Sequence, residues 1–191
     1  MSGTQLPRRI AVVGSAGAGK TTLAQRLAQR LALPHVELDA LFWGPDWTPA
    51  PRDLFREKVG RALDGQTWAT DGNYSAARDI VWGRADTLVW LDYALPLVMW
   101  RVTRRTLRRA LTGQVLWNGN QERLRTALLS GDSLILYALR THRRRRRDYA
   151  RLARQPEYAH LHVVRLHSPL EAQRWLKSLP QAQPKPEDRS P

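Results

Sequence analysis

Residues 8–22, RRIAVVGSAGAGKTT, decide the fold of this 191-residue chain. The apolar run at 9–13 is typical of a short buried strand. A glycine-rich turn follows it, and the segment 21–33, TTLAQRLAQRLAL, repeats leucine at helical spacing. The order strand, glycine-rich loop, helix predicts the first unit of an α/β fold, with the loop at the carboxyl end of the strand.

The loop carries the pattern G-x-x-x-x-G-K-[ST] at Gly14, Gly19, Lys20 and Thr21. Such a loop directs backbone N–H groups and a helix N-terminus at phosphate oxygens, and its glycines let the backbone approach them. We expect Lys20 to contact the β- and γ-phosphates and the Thr21 hydroxyl to ligate Mg²⁺. The predicted ATP-binding residues are Gly14, Ser15, Ala16, Gly17, Ala18, Gly19, Lys20, Thr21 and Thr22.

Four further strand patterns follow, and helical stretches separate them. They are HVELD at 35–39, QTWATDGNY at 66–74 with a turn at its end, RADTLVWLD at 84–92 and HLHVVRLHSP at 160–169. Helices are predicted at about 52–63 and 170–179. This alternation predicts an α/β protein, a three-layer α/β/α sandwich around a five-stranded parallel sheet.

Residues from about 95 to 155 are rich in arginine and helical in pattern, with no strand pattern among them. Polar turns at 112–120 and 130–133 interrupt them, and we interpret the region as a helical lid between strands four and five. The polar, proline-rich residues 181–191 predict a disordered tail. Residues 1–180 are thus expected to form one domain.

Composition excludes several kinds of chemistry. Without cysteine there is no disulfide, thiolate metal site or cysteine nucleophile, and the five histidines lack metal-site spacing. Arginine supplies 27 of the 31 basic residues, and the net charge of +14 favours anionic partners. No stretch of 18 apolar residues and no cleavable signal is visible, so we expect a cytoplasmic protein that does not span a membrane.

Three aspartates follow predicted strands, where ligands bind in sheets of this kind. Asp71 could orient Mg²⁺ or its waters, or hold an acceptor; the alternative is a simple Asp-Gly turn. Asp92 closes the run LVWLD, as a metal-site aspartate does and as many ordinary strands also end. Asp39 is the candidate to accept a proton or hydrogen bond from an acceptor hydroxyl, with a helix or turn cap as the alternative.

Aromatic residues surround the predicted acceptor position. Phe42, Trp43, Trp47 and Tyr74 could line a partly apolar pocket, or could pack the helix at 52–63 onto the sheet. The predicted acceptor-binding residues are Asp39, Trp43, Asp71, Gly72, Asn73 and Tyr74.

Two groups of arginines stand out. Arg101 and Arg105 lie four residues apart on one predicted helix face and could converge on the transferring phosphoryl group. The run HRRRRRDYARLAR at 142–154 puts charge around a whole helix, so most of it must be solvated or meet a polyanion. Arg143 or Arg147 could close on ATP. Nucleic-acid binding is the rival explanation of this run.

Together these motifs resemble adenylate-kinase-like P-loop kinases over most of residues 8–180. The likeness is strongest to bacterial P-loop proteins named as DNA topology modulation proteins, through VELDALFW at 36–43, DGNY at 71–74 and RADTLVWLD. The resemblance implies a P-loop NTPase sheet in the order 2-3-1-4-5, with ATP and Mg²⁺ as cofactors. It also places Asp71 in the magnesium shell and Arg101 and Arg105 at the arginine positions after strand four.

The expected function is transfer of the γ-phosphoryl group of ATP to a small acceptor. Its catalytic residues would be Lys20, Asp39, Arg101 and Arg105, and its metal residues Thr21, Asp71 and Asp92. Adenylate kinases follow Asp-Gly with Phe-Pro-Arg, whereas this chain has Asn73, Tyr74 and Ser75, which weakens the case for a nucleoside monophosphate acceptor. A nucleotide-dependent ATPase or switch and a DNA-binding protein stay open, as do a monomer and a homodimer.

Overall fold

The sheet is five-stranded and parallel throughout. A computed structural model of the chain describes residues 6–112, 114–120 and 134–182. The strands are β1 (Arg9–Gly14), β2 (His35–Glu37), β3 (Trp68–Asp71), β4 (Thr87–Leu91) and β5 (His162–Leu166). They lie in the order β2-β3-β1-β4-β5, with each neighbouring pair parallel. The predicted strand number and order are confirmed.

Helices connect the strands. Those of the described residues are α1 (Lys20–Leu31), α2 (Leu38–Phe42), α3 (Arg52–Ala62), α4 (Arg78–Arg84), α5 (Leu95–Thr112), α6 (Leu134–Leu152) and α7 (Pro169–Ser178). Short 3-10 turns occur at Pro45–Trp47 and Trp117–Gly119, among others. None of the described helices is long and apolar enough to cross a membrane.

Alternating side chains of the strands form two cores, one on each face of the sheet. On β1, Ile10 and Val12 belong to the core shared with α1 and α7, whereas Ala11 and Val13 belong to the core shared with α3 and α4. This alternation follows from the two-residue repeat of a strand. Helices therefore cover both faces, and the predicted three-layer sandwich is confirmed.

The second strand ends earlier than its pattern predicts. HVELD reads as one strand, but β2 ends at Glu37 and the chain turns into the short helix α2. The turn buries Leu38, which packs so closely under Gly72 that a Cβ at Gly72 would lie 2.8 Å from Leu38 Cβ. Asp39 consequently stands in the first turn of α2 rather than on the strand.

The described part of the region between β4 and β5 is helical, as expected for the lid. Helix α5 packs against α6, and α6 buries a stripe that includes Tyr149 and Leu152, while most of its arginines are exposed. The polar turn predicted at 130–133 and the tail predicted at 181–191 lie outside the described residues, except for residues 181 and 182.

Candidate active site

The loop between β1 and α1 is tightly enclosed. Gly14, Gly17 and Gly19 all have positive φ values, of 150°, 79° and 93°. A Cβ at Gly14 would lie 2.7 Å from the Leu91 carbonyl oxygen, and one at Gly17 would lie 2.9 Å from Val102 Cβ. The loop therefore needs glycine both for its conformation and for its contacts with β4 and α5. Its shape is that of a phosphate cradle in front of the α1 N-terminus.

Lys20 begins α1 and lines a large cleft beside the loop. Its Nζ atom donates a hydrogen bond to the Ser15 carbonyl oxygen at 3.3 Å. Burial lowers the pKa of Lys20 to about 8; Asp39 and Asp71 oppose the shift, while Arg145 and Arg105 add to it. These four charged side chains are thus close enough to Lys20 to act on its ammonium group.

Thr21 and Asp71 are joined directly. The Thr21 hydroxyl donates to Asp71 Oδ2 at 2.6 Å, and His35 Nε2 lies 3.0 Å from Asp71 Oδ1. Asp71 is only 2% exposed, whereas Thr21 lines the cleft. The Asp71 carboxylate therefore orients the Thr21 hydroxyl, and Thr21 is the member of this pair that lines the cleft.

The residues after β3 connect the loop to the acceptor side. Asn73 brackets Gly14: its amide nitrogen donates to the Gly14 carbonyl oxygen at 2.5 Å, and its amide oxygen accepts from the Gly14 N–H at 3.4 Å. Tyr74 donates from its hydroxyl to Asp39 Oδ1 at 2.5 Å. Gly72, Asn73, Tyr74 and Asp39 all line the cleft, so the structure brings these four predicted acceptor residues together.

Aromatic rings form one side of the cleft. Phe42 and Trp43 meet edge to face at 4.8 Å between centroids, Trp43 and Trp47 at 5.6 Å, and Trp47 and Trp117 at 6.3 Å. We call Phe42, Trp43, Trp47 and Trp117 the aromatic wall; all four line the cleft. Phe42 also packs on Phe55 of α3, so this ring both lines the cleft and packs the helix.

Glu37 is a cleft residue that the sequence did not single out. Burial raises the pKa of its carboxyl group, against the effect of a hydrogen bond from Trp117, and the neighbouring carboxylates of Asp71 and Asp39 raise it further. The only sequence signal was its position two residues before Asp39. Trp117 lies far along the chain, and no pattern linked the two.

The two predicted arginines of α5 lie on the cleft. The Arg101 guanidinium donates to the Ala18 carbonyl oxygen at 3.3 Å and stacks 5.7 Å from the Tyr93 ring centroid. Arg105 acts electrostatically on Lys20. From the basic run of α6 it is Arg145 that lines the cleft, whereas Arg143 and Arg147, the two that the sequence singled out, are exposed.

Asp92 is engaged in ion pairs. Its carboxylate is 2% exposed; Arg146 Nε lies 2.9 Å from Oδ1, and Arg165 Nη2 lies 2.5 Å from Oδ2. His167 Nδ1 is a further 3.6 Å contact. Two guanidinium groups already neutralise this aspartate, so its expected place among the metal residues finds no support in its contacts.

A second contact joins α6 to the phosphate loop. His142 is buried, and its Nδ1 atom lies 2.9 Å from the Ser15 hydroxyl oxygen. Burial lowers the pKa of His142, and Arg146 adds to this effect. The neutral form of the His142 imidazole is thus favoured. His142 and Arg146 stand one turn apart on α6, and they contact Ser15 and Asp92 respectively.

The cleft has a volume of about 1940 Å³. It extends from Lys20 and Thr21 to the aromatic wall on one side and to α5, α6 and α7 on the other. This volume exceeds the roughly 300–1,000 Å³ of an ordinary small-molecule site. The space suits two ligands that meet at the phosphate loop.

Comparison with known proteins agrees with the fold. The family model described as the AAA domain matches residues 10–189. The crystal structure of shikimate kinase from Bacteroides thetaiotaomicron matches with a TM-score of 0.53 at 16% identity, over 90% of this chain and 95% of that chain. A gluconokinase from Sinorhizobium meliloti 1021 matches with a TM-score of 0.50 at 19% identity, over 90% and 93%.

At this level of identity the likeness to the two structures shows a shared fold and no more. No curated protein matches the chain significantly. The resemblance to DNA topology modulation proteins stays a prediction.

Proposed function

Since the chain belongs to the AAA domain family and has the fold of P-loop kinases, we propose that it binds ATP with Mg²⁺ and transfers the γ-phosphoryl group to a small hydroxyl acceptor. The observation that carries this proposal is the meeting of three groups in one cleft: the glycine-rich loop with Lys20, the arginines of α5, and Asp39 beside the aromatic wall. A phosphoryl-transfer site needs little beyond positioning and charge stabilisation.

The nucleotide side is supported by the loop geometry. Backbone N–H groups of the loop and the α1 N-terminus would hold the phosphates, with Lys20 on the β- and γ-phosphates. Arg101 and Arg105 line the cleft and would stabilise the charge that develops on the transferring group. Arg145, which also acts on Lys20, is our candidate for the closing arginine in place of Arg143 or Arg147.

Mg²⁺ fits the donors at this loop. This ion is usually held by one or two protein oxygens together with phosphates and waters, and it does not need a protein cage. Accordingly, the described residues show no cluster of three or more His, Asp or Glu side chains suited to a metal ion. We propose Thr21 as the direct ligand, oriented by Asp71, and leave Asp92 out. When bound, the ion supplies neutralisation of phosphate charge.

The transfer step uses Asp39. The acceptor hydroxyl oxygen bonds to the γ-phosphorus while the bond from that phosphorus to the β,γ-bridging oxygen breaks, and ADP leaves with the electron pair. The hydroxyl proton passes to the Asp39 carboxylate, which the Tyr74 hydroxyl holds in place through Oδ1. Asp39 and Lys20 line the same cleft, and the Asp39 carboxylate opposes the fall in the Lys20 pKa, which supports a base close to the phosphate site.

The first test is titration calorimetry with ATP and Mg²⁺, followed by an ADP-release screen against nucleotides, sugars and small alcohols. We expect binding and acceptor-stimulated ADP release. Lys20→Ala should abolish the release, whereas Lys58→Ala on the exposed side of α3 should leave it unchanged. Tight ATP binding with no acceptor-dependent turnover would contradict the kinase proposal and favour a nucleotide-controlled switch.

Nucleic-acid binding is a second candidate, favoured by the exposed arginines of α6. Arg143 and Arg147 are exposed, and Arg144 and Arg151 are exposed partners of Asp148. Contacts to phosphates alone would give sequence-blind affinity that falls steeply with salt. The test is fluorescence polarisation with duplex DNA at two salt concentrations, for the wild type and for Arg143→Glu combined with Arg147→Glu. No measurable affinity would exclude nucleic-acid binding. Affinity that neither salt nor this double variant changes would exclude phosphate contacts by the α6 arginines.

A further inference from the structure

Charge is unevenly distributed around the cleft. Its basic side chains come from α1, α5 and α6; they are Lys20, Arg26, Arg101, Arg105, Arg108, Arg109, Arg140 and Arg145. Between β2 and the residues after β3, the described chain contributes two acidic side chains, Glu37 and Asp39, and no basic one to the lining. The acceptor end of the cleft is therefore acidic, and the nucleotide end is basic.

One arginine of α3 does not line the cleft and is paired elsewhere. Arg56 of α3 makes two hydrogen bonds of 2.7 Å to the Asp79 carboxylate and one of 2.6 Å to the Ala76 carbonyl oxygen. An arginine held by a carboxylate in this bidentate way is not available to a ligand anion. No cationic side chain of α3 lines the cleft.

The aromatic wall is built by contacts between distant parts of the chain. The buried Asn120 accepts a hydrogen bond from the Trp47 backbone N–H at 2.8 Å and donates one to the Gly44 carbonyl oxygen at 2.8 Å. Asn118 donates to the Trp43 carbonyl oxygen. Trp47 has φ 55°, a conformation that a bulky side chain rarely adopts. The backbone that carries this ring is thus held in a strained conformation, which is more common at binding sites than elsewhere.

Rings beside carboxylates recognise a particular chemistry. Aromatic faces and edges pack against the C–H surface of a ring compound, while Glu37 and Asp39 accept hydrogen bonds from hydroxyl or ammonium groups. An anionic group at the same position would meet both carboxylates, and the lining residues from β2 to Tyr74 add no cation to offset the repulsion. Negatively charged acceptors are disfavoured for this reason.

We propose that the acceptor is a hydroxyl compound with an apolar ring face and no negatively charged group, of the neutral sugar, cyclitol or amino-sugar type. This inference rests on the proposed kinase function and specifies its second substrate. Nucleoside monophosphates, and sugars or ring acids that carry a carboxylate, fall outside the class.

The test measures ADP release by the full chain with ATP and Mg²⁺ against three panels: neutral sugars and cyclitols, amino sugars, and anionic compounds that include gluconate, shikimate and nucleoside monophosphates. In parallel, saturation-transfer NMR measures direct binding of the same compounds in the presence of a non-hydrolysable ATP analogue. We expect turnover and binding with a member of the first two panels. A response in the first panel would indicate an uncharged acceptor, and a response in the second an acceptor that carries an ammonium group.

A matched pair of tryptophan variants tests the wall itself. Trp47→Ala should raise the acceptor KM at least tenfold and leave the ATP KM unchanged. Trp100→Ala, which removes an exposed ring outside the cleft lining, should change neither. Trp47→Phe keeps an aromatic ring and should recover part of the acceptor affinity, which guards against a folding defect in Trp47→Ala.

The outcomes separate the two proposals. Turnover with an anionic compound alone would overturn the acceptor class and leave the kinase function standing. Sugar binding that depends on Trp47, without any ADP release, would keep the binding chemistry and overturn the kinase function. The acceptor class would be overturned if no neutral or amino compound showed either turnover or binding.

Discussion

Lys20 is the residue whose titration governs the phosphate site. The desolvated ammonium group has a pKa of about 8, against 10.5 for an ordinary lysine, because burial disfavours its charge more than Asp39 and Asp71 favour it. Only the protonated form attracts phosphates. Above about pH 8 the free protein loses this proton, and nucleotide binding must then supply the free energy to restore it.

We therefore predict that ATP affinity weakens with rising pH. Between about pH 7.5 and about pH 9.5 the Kd of the wild type should increase by up to about tenfold per pH unit beyond the pKa of Lys20. Lys20→Arg keeps its charge over this range and should show a flat profile, even if its affinity is lower. Calorimetric titrations at several pH values measure both. A flat wild-type profile would contradict the pKa assigned to Lys20.

Asp39 gives a second prediction at the residue scale. Asp39→Asn keeps the shape of the side chain and removes its ability to take a proton, so kcat should fall by about 10²- to 10⁴-fold. The Kd for ATP should stay within about threefold, because Asp39 is assigned to the acceptor. Asp53→Asn, an exposed aspartate on α3, is the matched control. Unchanged turnover in Asp39→Asn would contradict the assignment of Asp39 as the group that accepts the proton.

Site residues divide by how their roles arise. The position of Lys20 and Thr21 beside the cleft could be predicted, because it follows from local spacing at the start of one helix. Asp39 was predicted from its place after a strand, although it stands in α2. Glu37 was not singled out, because its hydrogen bond with Trp117 joins segments that only the folded chain brings together. Hydrogen bonds between distant segments leave no periodic signal in the sequence.

At the level of elements, Asp92 connects α6 with the edge of the sheet. It follows β4, and its partners Arg146 and Arg165 belong to α6 and β5. The partners are 49% and 41% exposed, so water screens part of the interaction, while the carboxylate itself is buried. Its main effect is thus to hold α6 in place.

Asp92→Asn should consequently destabilise the fold and leave the magnesium dependence of turnover unchanged. We expect the free energy of unfolding to fall by about 1–3 kcal/mol, because two guanidinium groups lose their buried partner. Urea denaturation measures the loss. Asp64→Asn, which removes an 85% exposed carboxylate 3.9 Å from Arg84, should cost less than about 0.5 kcal/mol. An increased magnesium requirement in Asp92→Asn would restore the metal role expected from the sequence.

Elements were predictable to different degrees for physical reasons. The long apolar runs of β1 and β4 are buried on both faces and are recognisable without context. The run HVELD mixes apolar and charged residues and was also predicted as a strand, but the chain turns into α2 after Glu37 and buries Leu38 under Gly72. Strand order cannot be read from periodicity at all; it came from the resemblance and is confirmed by the parallel ladder.

At the scale of the whole molecule, a net charge of +14 raises the question of whether ATP binds at one site or diffusely over the arginine surface. The cleft argues for one site, because only there do a glycine cradle and Lys20 join the arginines. Lys20→Ala lowers the net charge by one unit out of fourteen and hardly alters the general field, so this variant distinguishes the two modes.

Saturating ATP and Mg²⁺ should raise the melting temperature of the wild type. At about 100 times the Kd, binding adds about 2.7 kcal/mol of stability, which corresponds to about 5–10 °C for a chain of this size. Lys20→Ala should lose most of this shift, whereas Lys58→Ala, with the same net charge, should keep it. Thermal scans measure the shift, and salt at about 0.15 M screens the diffuse field of the arginine surface. Equal shifts in both lysine variants would mean that the arginine surface, and not the loop, binds the nucleotide.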